Sequence, residues 1–371
     1  MSLTAIHLQH FRHFADTALS FSPGCNFILG YNGCGKTSVL EALYFCAYGK
    51  SFRSNQQRNL IQKEYDWFQV ACRLEHQDLY ETIKMTYRPP QAAQISIDEQ
   101  SSSVHDAAQK LAIIFMDTST HRDFASSPKI RRAFLNWCCF YAFPQHSSHL
   151  QKYNRALLQR NHFLKSSRYT HGEGIESWNE PLIHYAEKID ADRKQVIDFL
   201  NHSLQPVWQG LGQPFQADVI LSYQNGWPQD QSLGQALQES LSRDLQLGYT
   251  HYGPHRADLR CRLSNGRSIF DFFSQGQQKL YAYALKFAQQ CVLESYHGRQ
   301  AIVIIDDLPA ELDAQARQRI LDYLRTHTKQ TLLSGLHAED FSIAPDDHTI
   351  DLREHHVSCE TSSLDTTDTG S

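Results

Sequence analysis

The chain has 371 residues, 35 basic against 40 acidic side chains, a formal net charge of -5, 41% hydrophobic and 20% charged residues. This balance excludes a disordered chain and a uniformly basic nucleic-acid coat, and leaves room for one large globular domain or two ordinary ones. There is no run of about 18 apolar residues and no basic-then-apolar leader at Met1–Ile6, which points to a cytoplasmic protein without a membrane span.

In chain order, Leu3, Ala5 and Leu8, then Leu19 and Phe21, alternate with polar neighbours as strands do. Asn26-Phe27-Ile28-Leu29 is a short apolar strand running into Gly30, and from Thr37 the apolar spacing becomes helical. Strand patterns return at 67–74, 79–87 and Ile113–Phe115. Residues 129–205 read as long amphipathic helices broken only at Pro144 and Gly172-Glu173-Gly174, without sustained heptads. Strands follow at Phe215–Tyr223 and Leu259–Leu263, a helix at 278–295, and a wholly apolar strand at Ala301–Ile305. Residues 356–371 are rich in Ser, Thr and Asp and are expected to form a disordered tail. Nine cysteines lie scattered without a CxxC pair, so no disulfide framework or zinc site is expected.

Gly30-Tyr31-Asn32-Gly33-Cys34-Gly35-Lys36-Thr37, followed by Ser38, is a complete phosphate-binding loop between a strand and a helix. Its glycines let backbone N–H groups face phosphate oxygens, Lys36 reaches the β- and γ-phosphates, and the Thr37 hydroxyl binds Mg²⁺. The following helix adds the positive end of its dipole. At Cys34 only the backbone N–H is needed, and whether its thiol can be reached by an alkylating agent stays open. The strand Ile302–Ile305 ends in Asp306 and Asp307. Asp306 is placed to hold the Mg²⁺ beside the loop, and Asp307 to deprotonate the attacking water.

Phe273-Ser274-Gln275-Gly276-Gln277-Gln278-Lys279-Leu280 resembles the ABC signature motif in the form used by SMC-type heads, and Glu311-Leu312-Asp313 resembles the D-loop. Taken alone, Ser274 would read as an ordinary helix cap. Ser334 and His337 resemble the switch region more weakly. Further segments join these: Phe11-Arg12, Pro23-Gly24, Leu40-Glu41-Ala42-Leu43-Tyr44, Gly49-Lys50-Ser51-Phe52-Arg53, Pro128 with Arg131-Arg132-Ala133-Phe134-Leu135, and Gly253-Pro254-His255-Arg256-Ala257-Asp258-Leu259. Together, from residue 3 to about 340, they resemble the RecF family of DNA-repair ATPases. Departures are Cys34, Met116-Asp117-Thr118, Asn136, Pro309 and the lack of a glutamine at 113–120.

The resemblance implies an α/β fold, an ABC/SMC-type P-loop ATPase head with an inserted α-helical lobe. The head is expected at 1–115 and 206–355 and the lobe at 116–205. It implies a slow, DNA-stimulated ATPase using ATP and Mg²⁺, closing as an ATP-dependent homodimer on duplex DNA near single-strand gaps, and acting with RecO and RecR to load RecA. Ser274, Gln275, Gly276 and Gln277 would meet the ATP held by the other subunit, with Glu311 and Asp313 at the dimer seam. Little sequence preference is expected of the DNA contact. Lys50, Arg53 and Arg58 are the preferred contacts; Arg131 with Arg132, and Lys152, Arg155 and Arg160, are alternatives. The rival reading, the ATPase subunit of a membrane transporter, shares the nucleotide motifs but not the helical lobe or the Ser-Gln-Gly-Gln-Gln form.

Overall fold

Leu3, Ile6, Leu8 and Phe11 form the buried face of the first strand, β1 (Ser2–Phe11). Strict alternation would have buried Ala5; a register irregularity between Leu3 and Ala5 shifts the pleat and turns Ile6 inward instead. The computed structural model describes residues 2–166, 174–212 and 219–353. By internal contacts the chain divides into two compact units, 1–120 with 299 onward, and 121–298.

In the first unit β1 pairs with β2 (Phe14–Ser20), and β3 (Gly24–Leu29) carries the chain to Gly30 and helix α1 (Lys36–Tyr48). Strands β4 (Phe68–His76), β5 (Leu79–Tyr87), β6 (Gln94–Ile97) and β7 (Gln100–Ser101) complete an antiparallel sheet of order β2-β1-β4-β5-β6-β7. Helix α2 (Val104–Lys110) starts on a Ser103–Asp106 capping box and leads to β8 (Ile113–Met116).

The second unit opens with α3 (Thr120–Ser126), α4 (Pro128–Ala142), α5 (His146–Ser166) and α6 (Glu176–Gly210). Pro144 falls in the α4–α5 break, as read from sequence. The stretch between α5 and α6 includes Gly174 but otherwise lies mostly outside the described residues. Then come β9 (Val219–Gln224), α7 (Leu233–Glu239), α8 (Leu241–Leu247), β10 (Asp258–Leu263), α9 (Ile269–Phe272) and α10 (Gln275–His297). β9 and β10 form an antiparallel ribbon.

These compact units divide the chain differently from the head and lobe drawn from sequence, which return to the head at 206. α6 runs on through Pro206 to Gly210, and α10 packs along α6 and α4, so residues 206–298 cluster with the helices. A hydrophobic pattern marks which residues are buried but not against what.

The chain then returns to the first unit with β11 (Ile302–Ile305), α11 (Leu308–Glu311), α12 (Ala314–His327), β12 (Gln330–Gly335) and β13 (His348–Asp351). These complete a parallel sheet of order β13-β3-β12-β11-β8. β11 and β12 are buried along their whole length; β11 accordingly reads as a continuous apolar run, whereas β12 keeps Gln330, Thr331 and Ser334 inside. α1 touches β4 and β5 of one sheet and β8 and β12 of the other. It is therefore buried nearly all round, and its apolar residues do not form a single stripe. The tail expected at 356–371 lies outside the described residues.

Candidate functional site

The site starts from a steric constraint. Gly30, Gly33 and Gly35 have φ of 150°, 88° and 107°. In that range a side chain is strained, and a Cβ on Gly35 would stand 2.3 Å from the His13 ring and 2.6 Å from Phe14. The backbone thus wraps tightly between β3 and α1, whose first residue is Lys36. The Lys36 ammonium donates to the carbonyls of Gly30 (2.6 Å) and Tyr31 (3.0 Å), which holds its charge inside the loop. Tyr31, Asn32 and Gly33 are exposed, while Cys34, Gly35 and Ser38 are buried. The Cys34 side chain is only 1% exposed and belongs to the core of the first unit, so it offers no surface to an alkylating agent.

The two motifs far apart in sequence meet because β3 and β11 both flank β12. The Thr37 hydroxyl donates to the Asp306 carboxylate, 2.9 Å from Oδ2 and 3.2 Å from Oδ1. Ser334, at the end of β12, joins both acids: its hydroxyl donates to Asp306 Oδ1 at 2.6 Å and accepts from the Asp307 N–H at 2.8 Å. Asp307 adopts the left-handed conformation (φ 57°, ψ 49°), which Asp tolerates better than most residues. Burial pushes its carboxyl above the usual range; Asp306 and Asp340 push the same way and Lys36 opposes. One hydroxyl and one carboxylate side by side suit Mg²⁺, which retains waters and phosphate oxygens for its remaining positions.

Past β11, Asp313 caps α12 through the Ala316 N–H at 2.8 Å, and Glu311 ends α11. Ser334 carried only a weak signal in the sequence and Asp340 carried none, because a single polar residue after an apolar strand has many explanations. His337 is exposed at the start of a short 3-10 turn.

Several family-like segments converge on Glu41. Its carboxylate is fully buried on α1 and receives both arms of Arg12, at 2.8 and 2.7 Å, and the Ser51 hydroxyl. Arg53 approaches to 3.9 Å, and its N–H donates to Ser51 Oγ. Removing Arg12 would strand a buried charge, a change that costs about 3–5 kcal/mol. This network ties the 49–60 segment to α1 and leaves Lys50, Arg53 and Arg58 exposed along it.

In the second unit Ser274 is the N-cap of α10. Its Oγ accepts from the Gln277 N–H (3.3 Å) and Gln277 Oε1 accepts from the Ser274 N–H (2.9 Å), a capping box. Ser274, Gln275 and Gly276 remain exposed. The alternative basic clusters are largely structural. Arg131 is buried and pairs with Asp258 at 2.7 Å, Arg132 donates to the Ala257 carbonyl at 2.8 Å, and Arg160 is fully buried against Asp244 at 2.8 Å. Lys152 and Arg155 stay exposed on α5. Asn136, a departure in the sequence pattern, accepts from Arg193 at 2.8 Å.

Comparison with known proteins gives a concordant picture. The model of the RecF/RecN/SMC N terminal domain matches residues 2–359. The chain is 35% identical over 341 residues to the DNA replication and repair protein RecF of Cellvibrio japonicus, covering 91% of this chain and 92% of that one. It is 34% identical over 345 residues to the RecF of Coxiella burnetii strain RSA 493, covering 92% and 94%. Among solved structures it superposes on the recombination mediator protein RecF with ATPrS in the RecFOR pathway, with a TM-score of 0.83, 24% identity, and 94% and 96% of the chains covered. An Smc head bound to the C-winged helix domain of ScpA gives a TM-score of 0.55 at 15% identity, covering 91% and 90%. Both share the ABC/SMC-type head fold. Among the described residues no helix is long and apolar enough to cross a membrane.

Proposed function

The chain belongs to the RecF family of RecF/RecN/SMC-type proteins, and on that premise we propose that it is an ATP-switched DNA-binding protein of recombinational repair and replication restart in the bacterial cytoplasm. The observation that carries this reading is the contact of Thr37 with Asp306, with Ser334 bridging Asp306 and Asp307 beside the Lys36 loop.

ATP would supply the phosphoanhydride that is cleaved, and Mg²⁺ would supply positive charge to offset that of the phosphates. Lys36 exchanges its two carbonyl partners for β- and γ-phosphate oxygens and neutralises charge there. Thr37 Oγ1 and the Asp306 carboxylate would hold the metal. Asp307 takes a proton from the attacking water as the water oxygen bonds to the γ-phosphorus and the bond to the ADP oxygen breaks. Ser334 orients both acids and moves no proton itself.

Two copies close head to tail, so that Ser274, Gln275, Gly276 and Gln277 of one copy meet the ATP held by the loop of the other, with Glu311 and Asp313 along the seam. A helix N-terminus with an exposed serine and glycine suits a phosphate. The closed pair grips duplex DNA beside a gap, through Lys50, Arg53 and Arg58 among others, and hydrolysis releases it. RecO, RecR and RecA are the proposed partners, by relation to the RecFOR pathway named for the solved structure.

Sedimentation with and without ATP and Mg²⁺ tests the switch. Wild-type protein should shift from monomer to dimer, and gapped duplex should strengthen the shift. Lys36→Arg, which keeps the charge but not the compact shape, should stay monomeric. A mass that does not respond to ATP, or the same response in Lys36→Arg, defeats the reading.

A further inference from the structure

The segment Gly253–Asp258 is held in the second unit with a regularity that its position in a loop does not require. Gly253 has φ 140°, and a Cβ there would stand 2.4 Å from the Tyr153 hydroxyl. A Cβ on Gly226 would stand 2.3 Å from the Gly253 carbonyl, so the two backbones touch. Arg193 donates to the Pro254 carbonyl at 2.9 Å. His255 lies 2.6 Å from the Tyr153 hydroxyl through Nδ1 and 3.2 Å from the Thr250 carbonyl through Nε2. A carbonyl only accepts, so Nε2 carries the proton and Nδ1 accepts from Tyr153. Arg132 takes the Ala257 carbonyl and Arg131 the Asp258 carboxylate.

Helices α4, α5 and α6 thus grip Pro254, His255, Ala257 and Asp258. Arg256 is the exception. It is exposed and makes no ion pair among the described residues; the nearby Arg260, by contrast, pairs with Asp258 at 3.0 Å. Its guanidinium lies over the ring of Tyr249, 5.5 Å from the centroid, and Tyr249 is itself 38% exposed. Arg243 is exposed on the neighbouring α8. The surroundings are positive in a chain of net charge -5. Burial, then Arg243 and Arg256, hold His251 below its ordinary range against Asp244, and Arg256, Arg132 and Arg160 add to burial in doing the same to His255 against its bond to the Thr250 carbonyl. Neutral histidines do not compete for an anion, so the arginines are the charges on offer.

We propose that Arg256, braced by Tyr249 and flanked by Arg243, is a DNA-phosphate contact in the second unit, separate from the Lys50, Arg53 and Arg58 segment of the first. The proposal rests on the reading of the chain as a DNA-binding protein and adds where else the duplex is held. A guanidinium presents a planar fork to phosphate oxygens, and stacking on an aromatic ring limits its rotamers. The rigid turn means that little conformational entropy is lost on binding. Phosphate contacts position a protein on DNA without reading bases, which fits the absence of a base-reading element at this turn.

The test is the affinity of the full chain for a fluorescent gapped duplex, measured by anisotropy across a salt series with ATP and Mg²⁺ present. Arg256→Gln should weaken binding about tenfold at moderate salt and lower the slope of log affinity against log salt by about 0.9 for each phosphate that is no longer neutralised. Arg256→Lys, which keeps the charge but not the fork or the stacking, should recover the slope and only part of the affinity, and Tyr249→Ala should weaken binding with a smaller change of slope. The thermal midpoint is read in parallel, because an arginine with a purely structural role would move it and leave the slope alone. That result, or an unchanged affinity and slope in Arg256→Gln, overturns the proposal. Wild-type protein that fails to bind the duplex at all defeats instead the DNA-binding reading on which it stands.

Discussion

Asp306 and Asp307 are neighbours with different environments, and that difference is the basis of the separate roles proposed for them. Asp306 is engaged by two hydroxyls, Thr37, which follows Lys36 at the start of α1, and Ser334. Asp307 receives no such donors at its carboxylate among the described bonds, and burial beside Asp306 raises its pKa. A base works only when deprotonated. Asp307→Asn should keep ATP binding and lower kcat by about 10²–10⁴. A wild-type rate in this variant, measured by steady-state phosphate release, would remove Asp307 from the mechanism. The pair of acids after an apolar strand was legible in the sequence. The bridging serine was not, since its role depends on β12 lying beside β11.

At the scale of elements, the turn at 253–258 is an anchor built from side chains on three helices. Its central histidine is half-buried and neutral, with a pKa lowered to about 4 from the ordinary 6.5, burial being the main cause. The unfolded chain therefore binds a proton that the folded one does not between those values. Stability from this group is fully present above about 6.5 and is lost as pH falls toward about 4, amounting to roughly 3 kcal/mol at most. Thermal melts across that window should show a falling midpoint, and His255→Gln, which has no titrating ring, should flatten the fall while lowering stability at neutral pH. Parallel curves for the two proteins would show that His255 is not the linked group. The segment stood out in the sequence as part of the family pattern, but nothing there indicated Tyr153 or Arg193, more than 60 positions upstream, as its partners.

At the scale of the molecule, the loop with Lys36 and the helix start with Ser274 lie in different units of the chain. Ser274 already has a local task, capping α10, yet its face stays exposed. These two facts separate the alternatives experimentally. Loss of the cap alone costs about 1 kcal/mol. If Ser274 also faces ATP across a dimer seam, Ser274→Arg should melt only a few degrees lower, bind ATP through its intact loop, and remain monomeric with ATP and Mg²⁺ in sedimentation. Full ATP-driven dimerisation of that variant would refute the sandwiched dimer.

Local rules written in the sequence determine much of this protein. Gly30 to Thr37 requires left-handed backbone that only glycine adopts cheaply, and an apolar strand ending in two acids has few uses beside such a loop. Both are constraints on neighbouring residues, so they are written within a few positions of sequence. The tertiary structure alone decided which charges are buried. Arg131, Arg132 and Arg160 look as basic in the sequence as Lys50, Arg53 and Arg58, but carboxylates or carbonyls far along the chain engage them. It also placed the unit boundary at 298, because α10 lies against α6 and α4. Side-chain charge is a property of one residue, whereas its neutralisation depends on partners brought close only by the fold.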